Sequence, residues 1–382
     1  MGGCEQYRVR IPYEQIRERV DGAVLDWAPI GKVREWAGGK YGLKTRPTDY
    51  DMWVLARHRP LPYGVDGSIT FDKIPEAMRQ QVQELTGVEL GGRAHLLDML
   101  RLAKTKQHIV LEYDDDHWGS RDLGYSEYVD LARELLELAD AITVTTPYMR
   151  DLVQSIAPGV RTYILPNCVN FAEWQGWERW KRWDDDWIVL GLTGSVTHSE
   201  DWIVLKDVLP RIMAEYGNVA LLLQGFIPDY LGELPIKYPQ RVYADKDFRD
   251  YKEYPGVVRQ ADIVLCPVDP EDRFNWAKSS IKAVEGMACG RELSTGKVGG
   301  SAIIASPLDY YKKVMGHGKR GIIAEHTPEG WYEAIKALVT KQEQRERYQV
   351  LGRRWVWKNR AIERQWHLWW NAYDEIYRRI RK

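Results

Sequence analysis

The feature that most restricts the fold of this 382-residue chain is a repeated pattern: a short apolar run, then a stretch with helical spacing. A run that is apolar without alternation reads as a strand buried on both faces. Strands of that kind separated by helices imply a mainly parallel sheet with helices on both sides. The first half predicts strands over 22–30, 50–58, 108–115, 141–146 and 162–167, with helices over 11–20, 93–106, 126–138 and 147–156. The second half predicts strands over 187–195, 219–226, 241–244, 263–267, 302–306 and 321–324, with helices over 201–216, 251–260, 279–289, 307–315 and 329–340. Between them, NFAEWQGWERWKRWDDDW (170–187) is polar and fits no strand; it reads as a linker packed partly by its tryptophans. Parallel sheets take ligands at the carboxyl ends of their strands.

The most informative stretch is 261–290, ADIVLCPVDPEDRFNWAKSSIKAVEGMACG, read as strand, loop and helix. Its helix is expected to start near Lys278, with Ser279 and Ser280 in the first turn. A helix N-terminus presents unsatisfied N–H groups and the positive end of a dipole, which suit an anion. Lys278 adds a full charge, and Glu285 follows about two turns later. A cation with amides for a diphosphate and a carboxylate for sugar hydroxyls would suit a nucleotide-sugar site. On these residues alone, a surface lysine, a serine cap and a solvated glutamate explain the segment equally well.

Length favours two domains over one core. A net charge of −1 argues against a wholesale nucleic-acid coat, although a local basic patch is compatible with it. Cys4, Cys168, Cys266 and Cys289 form no CxxC pair, so neither a zinc site nor a disulfide framework is expected, and a reducing cytoplasm is the simplest setting. No apolar run is long enough to span a membrane. The first residues, MGGCEQYRVR, do not read as a signal peptide. The tail, 341–382, carries 12 Lys/Arg against 5 Asp/Glu with several tryptophans. It reads as amphipathic helices with indoles inward in preference to a basic aromatic nucleic-acid surface.

In order along the chain, YRVRIP, HIVLEYDDDHW, ADAITVTTPYM, YILPNCVN, LGLTGSVTHSEDW (190–202), LLLQG (221–225), ADIVLCPV (261–268), FNWAKSSIKAVEGMACG (274–290) and AIIASPLDYYKKVMGHGKRGIIA (302–324) carry a resemblance. The chain resembles a retaining glycosyltransferase of the GT-B fold, close to family 4, over nearly its whole length. The resemblance implies an α/β fold of two Rossmann-like doubly wound domains facing a central cleft. These would span 1–182, with the linker from about 170, and 183–355, followed by a helix over 356–382 that crosses back to the first domain. The second would bind the donor. The compact, tryptophan-rich chain also resembles glycosyltransferases encoded by bacteriophages.

That resemblance assigns roles to particular residues. Gly194 and Ser195 would face the donor diphosphate, because glycine permits close backbone approach. Family members often place an arginine beside that glycine and a lysine several residues on; here the positions hold Ser195 and Asp201, which gives Lys278 more of the work. His198 in the same loop is a further candidate for phosphate or sugar. Glu285 matches the second glutamate of the family's pair and would bind ribose hydroxyls; the first falls at Ala277 and is absent. Backbone amides around Ser279, Ser280 and Ile281 would meet the diphosphate. Gly2 and Gly3 match the glycine loop of the first domain, whose preceding strand would be lacking or lie upstream. Tyr7 and Arg8 are candidates for the acceptor side, and Asn167 for the hinge. Asp114, Asp115 and Asp116 look like a metal-binding DxD, for which Mg²⁺ or Mn²⁺ would be the ion. GT-B enzymes usually need no metal, so Asp115 and Asp116 are expected instead to orient donor or acceptor hydroxyls, with Asp114 on the acceptor side.

The implied reaction moves a sugar from a nucleotide diphosphate sugar to an acceptor hydroxyl with retention, with Lys278 stabilising the leaving diphosphate. No cofactor is required. Expected acceptors are a glycan, a lipid-linked sugar or, as in some phage enzymes, hydroxymethylated bases in DNA; in that case the basic tail and the 312–320 run matter. A competing class is a two-lobed nucleotide-sugar-binding protein without catalysis. Two motifs mislead. GRELSTGK (290–297) has one residue too many between its glycines for a P-loop and reads as an insertion. GVELGG (87–92) follows no strand and is no dinucleotide fingerprint.

Overall fold

The computed structural model describes residues 6–21, 52–56, 104, 108–116, 136–176, 178, 180, 182–183, 186–195, 198, 200–247, 249 and 251–380. The strand expected over 22–30, most of the helices expected over 93–106 and 126–138, and Gly2 and Gly3 lie outside the described residues. The chain separates into two compact units. One draws on Asn167–Trp276 and Ser280–Gln365, the other on Tyr7–Pro166, Ala277–Ser279 and Trp366–Lys382.

In the second of these, a π-helical turn, Gln6–Arg10, leads into α1 (Ile11–Arg19). Four parallel strands follow in spatial order of sequence: β1 (Met52–Ala56), β2 (His108–Tyr113), β3 (Ala141–Val144) and β4 (Thr162–Ile164). Ile109, Leu111, Ile142 and Val144 are fully buried and pack with Met149 and Val153 of α2 (Pro147–Ile156). Burying each such side chain contributes ~1.5–3 kcal/mol. α2 starts where it does because Thr146 Oγ1 accepts the Met149 N–H at 3.2 Å and Pro147, which needs no N–H partner there, opens the helix. Ala277 packs into this core.

The other unit holds a six-stranded parallel sheet. Its elements in chain order are β5 (Ile188–Gly194), α3 (Val208–Glu215), β6 (Val219–Gly225), α4 (Leu234–Lys237), β7 (Val242–Asp245), α5 (Tyr254–Val258), β8 (Ile263–Cys266), α6 (Arg273–Trp276), α7 (Ile281–Ala288), β9 (Arg291–Glu292), β10 (Val298–Gly299), β11 (Ala302–Ala305), α8 (Asp309–Met315), β12 (Ile322–Ile323), α9 (Pro328–Thr340) and α10 (Gln342–Asn359). α11 (Ile362–Ile380) begins here, and from Trp366 its residues belong to the four-stranded unit. Strand order is β12-β11-β8-β5-β6-β7. β5 is therefore central, with β6 and β7 laid down on one side and β8, β11 and β12 on the other. The order of winding reverses between β5 and β8, and that is where a sheet of this topology takes its ligands. β5 and β6 are buried almost throughout, as their unbroken apolar runs require.

Three expectations need adjusting. The helix expected from 279 starts at Ile281, with Ser280 as a cap residue that makes no side-chain cap bond. The helix expected over 201–216 is a 3₁₀ turn, Ile203–Leu205, and then α3, because Pro210 lacks an N–H and is tolerated only in a first turn. The segment read as a linker contains a 3₁₀ turn, Phe171–Trp174, and buries Trp174 and Trp183 fully. GRELSTGK forms an antiparallel ribbon, β9 with β10, outside the main sheet, as an insertion would. No helix among the described residues is long and apolar enough to cross a membrane.

Candidate functional site

The edge of the six-stranded sheet at the β5–β8 switch is built from two loops, one after each strand. Asp201, 1% exposed, joins them. Its Oδ1 accepts the Asp269 N–H at 2.9 Å and the Asn275 Nδ2–H at 2.7 Å, both from the loop after β8. Its Oδ2 lies 2.7 Å from His198 Nδ1 in the loop after β5. Ser306, fully buried after β11, accepts the Val268 N–H at 2.8 Å and lies 3.2 Å from His326 Nδ1, fixing the next strand end in the same way.

Gly194 stands at the focus of this edge. A Cβ on it would lie 2.8 Å from Trp202 Cζ2, 3.0 Å from Lys282 Nζ and 3.2 Å from His198 Cδ2. Lys282, in the first turn of α7, donates to the Thr193 carbonyl at 2.8 Å. A cation from another element thus reaches the strand end whose own loop has no arginine or lysine. Lys282 is one turn beyond Lys278 on a helical count, and the sequence reading passed over it. Lys278 itself is 9% exposed and, with Ala277 and Ser279, belongs to the four-stranded unit.

Glu285 is 5% exposed on α7. Tyr254 Oη donates to its Oε2 at 3.3 Å, and Thr193 Oγ1 lies 2.9 Å from the same Oη. A carboxylate only accepts, so the direction is set: Thr193 donates to Tyr254, and Tyr254 to Glu285. Burial, reinforced by the Glu285 charge, holds the Tyr254 phenol well above its usual range, so it stays a donor. Tyr254 and Thr193 carried no sequence signal, because the three residues come together only through the sheet. Ser195 and Ser280 border this edge in sequence, and Ile281 opens α7.

In the four-stranded unit, Tyr7 and Arg8 are 3% and 1% exposed. Arg8 Nε donates to Glu112 Oε1 at 2.8 Å, and Arg8 Nη1 donates to the Leu165 carbonyl. Thr143 Oγ1 and Tyr373 Oη each donate to Glu112 Oε2 at 3.1 Å. Burial pushes the Glu112 carboxyl up, against the pull of Arg8. The bonds of Arg8 and Glu112 together thus tie β2 to the end of β4 and to α11. Asp114, Asp115 and Asp116 follow β2, with Asp114 and Asp116 buried and Asp115 half-buried. No group of three or more metal-binding side chains occurs among the described residues. Asn167 is 5% exposed at the start of the six-stranded unit.

No protein-family model matches the sequence, and no curated protein matches it. Solved structures do. HepE of Anabaena in complex with UDP and glucose aligns with a TM-score of 0.55 at 14% identity, over 82% of this chain and 84% of that one. Sucrose-phosphate synthase of Thermosynechococcus elongatus aligns with a TM-score of 0.55 at 16% identity, over 87% of each. TarM aligns with a TM-score of 0.54 at 13% identity over 73% of this chain, which spans about half (52%) of TarM's length. These likenesses establish the fold: α/β with parallel sheets, of the GT-B class.

Proposed function

We propose that this chain transfers a sugar from a nucleotide diphosphate sugar to an acceptor hydroxyl, with retention of configuration. The observation that carries the proposal is the convergence of His198 and Lys282 on Gly194 at the switch point of a six-stranded parallel sheet, with Glu285 held by Tyr254 nearby. HepE, of the same fold, holds UDP and glucose. Gly194 and Ser195 admit the diphosphate to the strand end. Lys282, Lys278 and the amides of Ser279, Ser280 and Ile281 carry its charge, which grows as the leaving group departs. Glu285 accepts from the ribose hydroxyls, and the Thr193–Tyr254 chain keeps its carboxylate oriented. Asp115 and Asp116 orient hydroxyls, and Tyr7 and Asp114 form the acceptor side, with Arg8 as the buried support behind them.

No nucleophile is required. Departure of the diphosphate breaks the anomeric C–O bond, a phosphate oxygen takes the acceptor's proton, and the acceptor oxygen bonds to the same face of the anomeric carbon. No metal is needed for these steps, and the setting is the cytoplasm of a bacterium or of a phage-infected host.

The deciding experiment is a thermal-shift screen of UDP-, GDP-, ADP- and TDP-sugars, followed by a product assay with the stabilising donor. A ligand at about 100 times its dissociation constant adds ~2.7 kcal/mol. Full turnover by Lys278→Ala would remove Lys278 from the mechanism. Binding without transfer or hydrolysis would leave the non-catalytic reading standing.

For the acceptor, a glycan or lipid-linked sugar is the first reading. One observation favours hydroxymethylated DNA as a second. Arg320, from the basic 312–320 run, sits over the Trp355 ring at 5.1 Å, and Arg360 sits over it at 5.2 Å. Two basic stretches distant in sequence therefore meet on one indole. DNA binding that falls steeply with salt would support this acceptor, and no binding at low salt would exclude it.

A further inference from the structure

We propose that Asp201 is a positioning residue that holds His198 as an imidazolium at the end of β5, so that donor binding at this edge is linked to one proton. The proposal rests on the nucleotide-sugar reading of the same edge, but its first test does not.

The geometry is specific. Asp201 is almost wholly buried, and two of its bonds come from neutral donors, the Asp269 amide and the Asn275 side chain. Asn275 is itself fully buried and also donates to the Asp269 carbonyl at 3.0 Å, so a carboxylate that swung away would leave one of its two buried N–H bonds unmade. Its contact with His198 Nδ1 at 2.7 Å is to a group that can supply a countercharge. A buried carboxylate beside an imidazole is far better balanced by imidazolium than by neutral imidazole.

Other titratable groups stand on the same loops and on the elements beside them. Asp201 and Glu200 come from the loop of His198, Asp269 and Glu271 from the loop after β8, and His326 follows β12; Tyr230 feels Glu200 and Asp201. Against these carboxylates stands Lys282 of α7, near Gly194.

The ring's Cδ2, adjacent to Nε2, lies 3.2 Å from the point where a Gly194 Cβ would stand. The ring therefore stands against the strand end that would receive the diphosphate. Protonated, His198 supplies the positive charge that the loop lacks; neutral, it supplies none. The diphosphate of a nucleotide sugar keeps its charge across the neutral range, so the pH dependence of binding reports the protein's proton.

The test has two arms. In the first, the His198 ring is titrated by NMR in the ligand-free protein and in Asp201→Asn, which keeps the shape and removes the charge. The expected result is a fall of at least one pH unit, tenfold in proton affinity, in Asp201→Asn. Identical titrations overturn the proposal whether or not any nucleotide binds. In the second, affinities for UDP-, GDP- and ADP-glucose are measured from pH 6 to 9 in the wild type and in His198→Gln. The expected result is a loss approaching tenfold per pH unit above the His198 midpoint, and a flat profile in His198→Gln. A flat wild-type profile across that midpoint overturns the linkage. If none of the three binds at any pH, the donor reading fails and the linkage with it, while the first arm still decides the Asp201–His198 pair.

Discussion

The ammonium of Lys282 donates to the carbonyl of Thr193 across 2.8 Å, joining the first turn of α7 to the end of strand β5. It also lies 5.9 Å from the centre of the Trp202 ring. The charge is thereby held at Gly194, although the loop after β5 contains no lysine or arginine up to Trp202.

Replacing Lys282 with methionine keeps the stem and removes the charge. A hydrogen bond to a charged group is worth ~1.5–3 kcal/mol, so nucleotide-sugar affinity should fall by about 10- to 100-fold, and loss of the Thr193 bond should lower the melting temperature as well. Calorimetric titration of the variant with the stabilising donor checks this. Unchanged affinity would remove Lys282 from the donor site.

Gly194→Ala tests the close approach. The new methyl would meet the buried Trp202 ring at 2.8 Å, and that ring has nowhere to go. Overpacking of this kind costs ~1–3 kcal/mol, readable as a shifted urea midpoint at unchanged slope. Donor binding should weaken as well, because the methyl occupies the approach to the strand end. A fully stable variant that binds normally would contradict both expectations.

Glu112→Gln leaves the Arg8 guanidinium buried without its countercharge. Breaking a buried pair from one side costs ~3–5 kcal/mol. The double variant with Arg8→Met should recover part of that loss, because the stranded charge is gone; a double-mutant cycle in denaturant measures the coupling. Simple additivity would show that the pair does not act as a unit.

His326 predicts an acid-side loss of stability. Burial lowers it below the ordinary histidine value, against the opposing pull of Asp269 and Asp201. Its native form is therefore neutral, while the unfolded chain takes up the proton near pH ~6.5. The unfolded state binds more protons between the native value and pH ~6.5, so the contribution is present above that window and is lost as pH falls through it. The melting-temperature difference between wild type and His326→Gln should shrink as pH falls from about 7.5 to 5. A difference constant with pH would rule this out.

Strand and helix positions were legible wherever a run was apolar on both faces or had a clear helical period. IVLGLTG, VALLLQG and IVLC could be little else than buried strands, and each is. The site was legible in part. Gly194 and His198 meet at the end of β5, and Glu285 lies on α7 within reach of Tyr254. Lys282 carries no signal of its own in the sequence, because its contact with the end of β5 is made through the fold. Tyr254 was invisible because its partner Glu285 lies 31 residues away. Asp201 was read as the loss of a cation, and the structure shows it bonded to both site loops.

The sequence by itself determined the alternation of strands and helices, and hence a parallel α/β fold, because burial and backbone period act over a few residues at a time. The tertiary structure alone decided that β5 lies between β6 and β8. That order brings the loops after residues 194 and 266 together and aims Lys282 at Gly194. The physical reason is that strand pairing and buried hydrogen bonds are settled between residues tens of positions apart, where no local pattern records the partner.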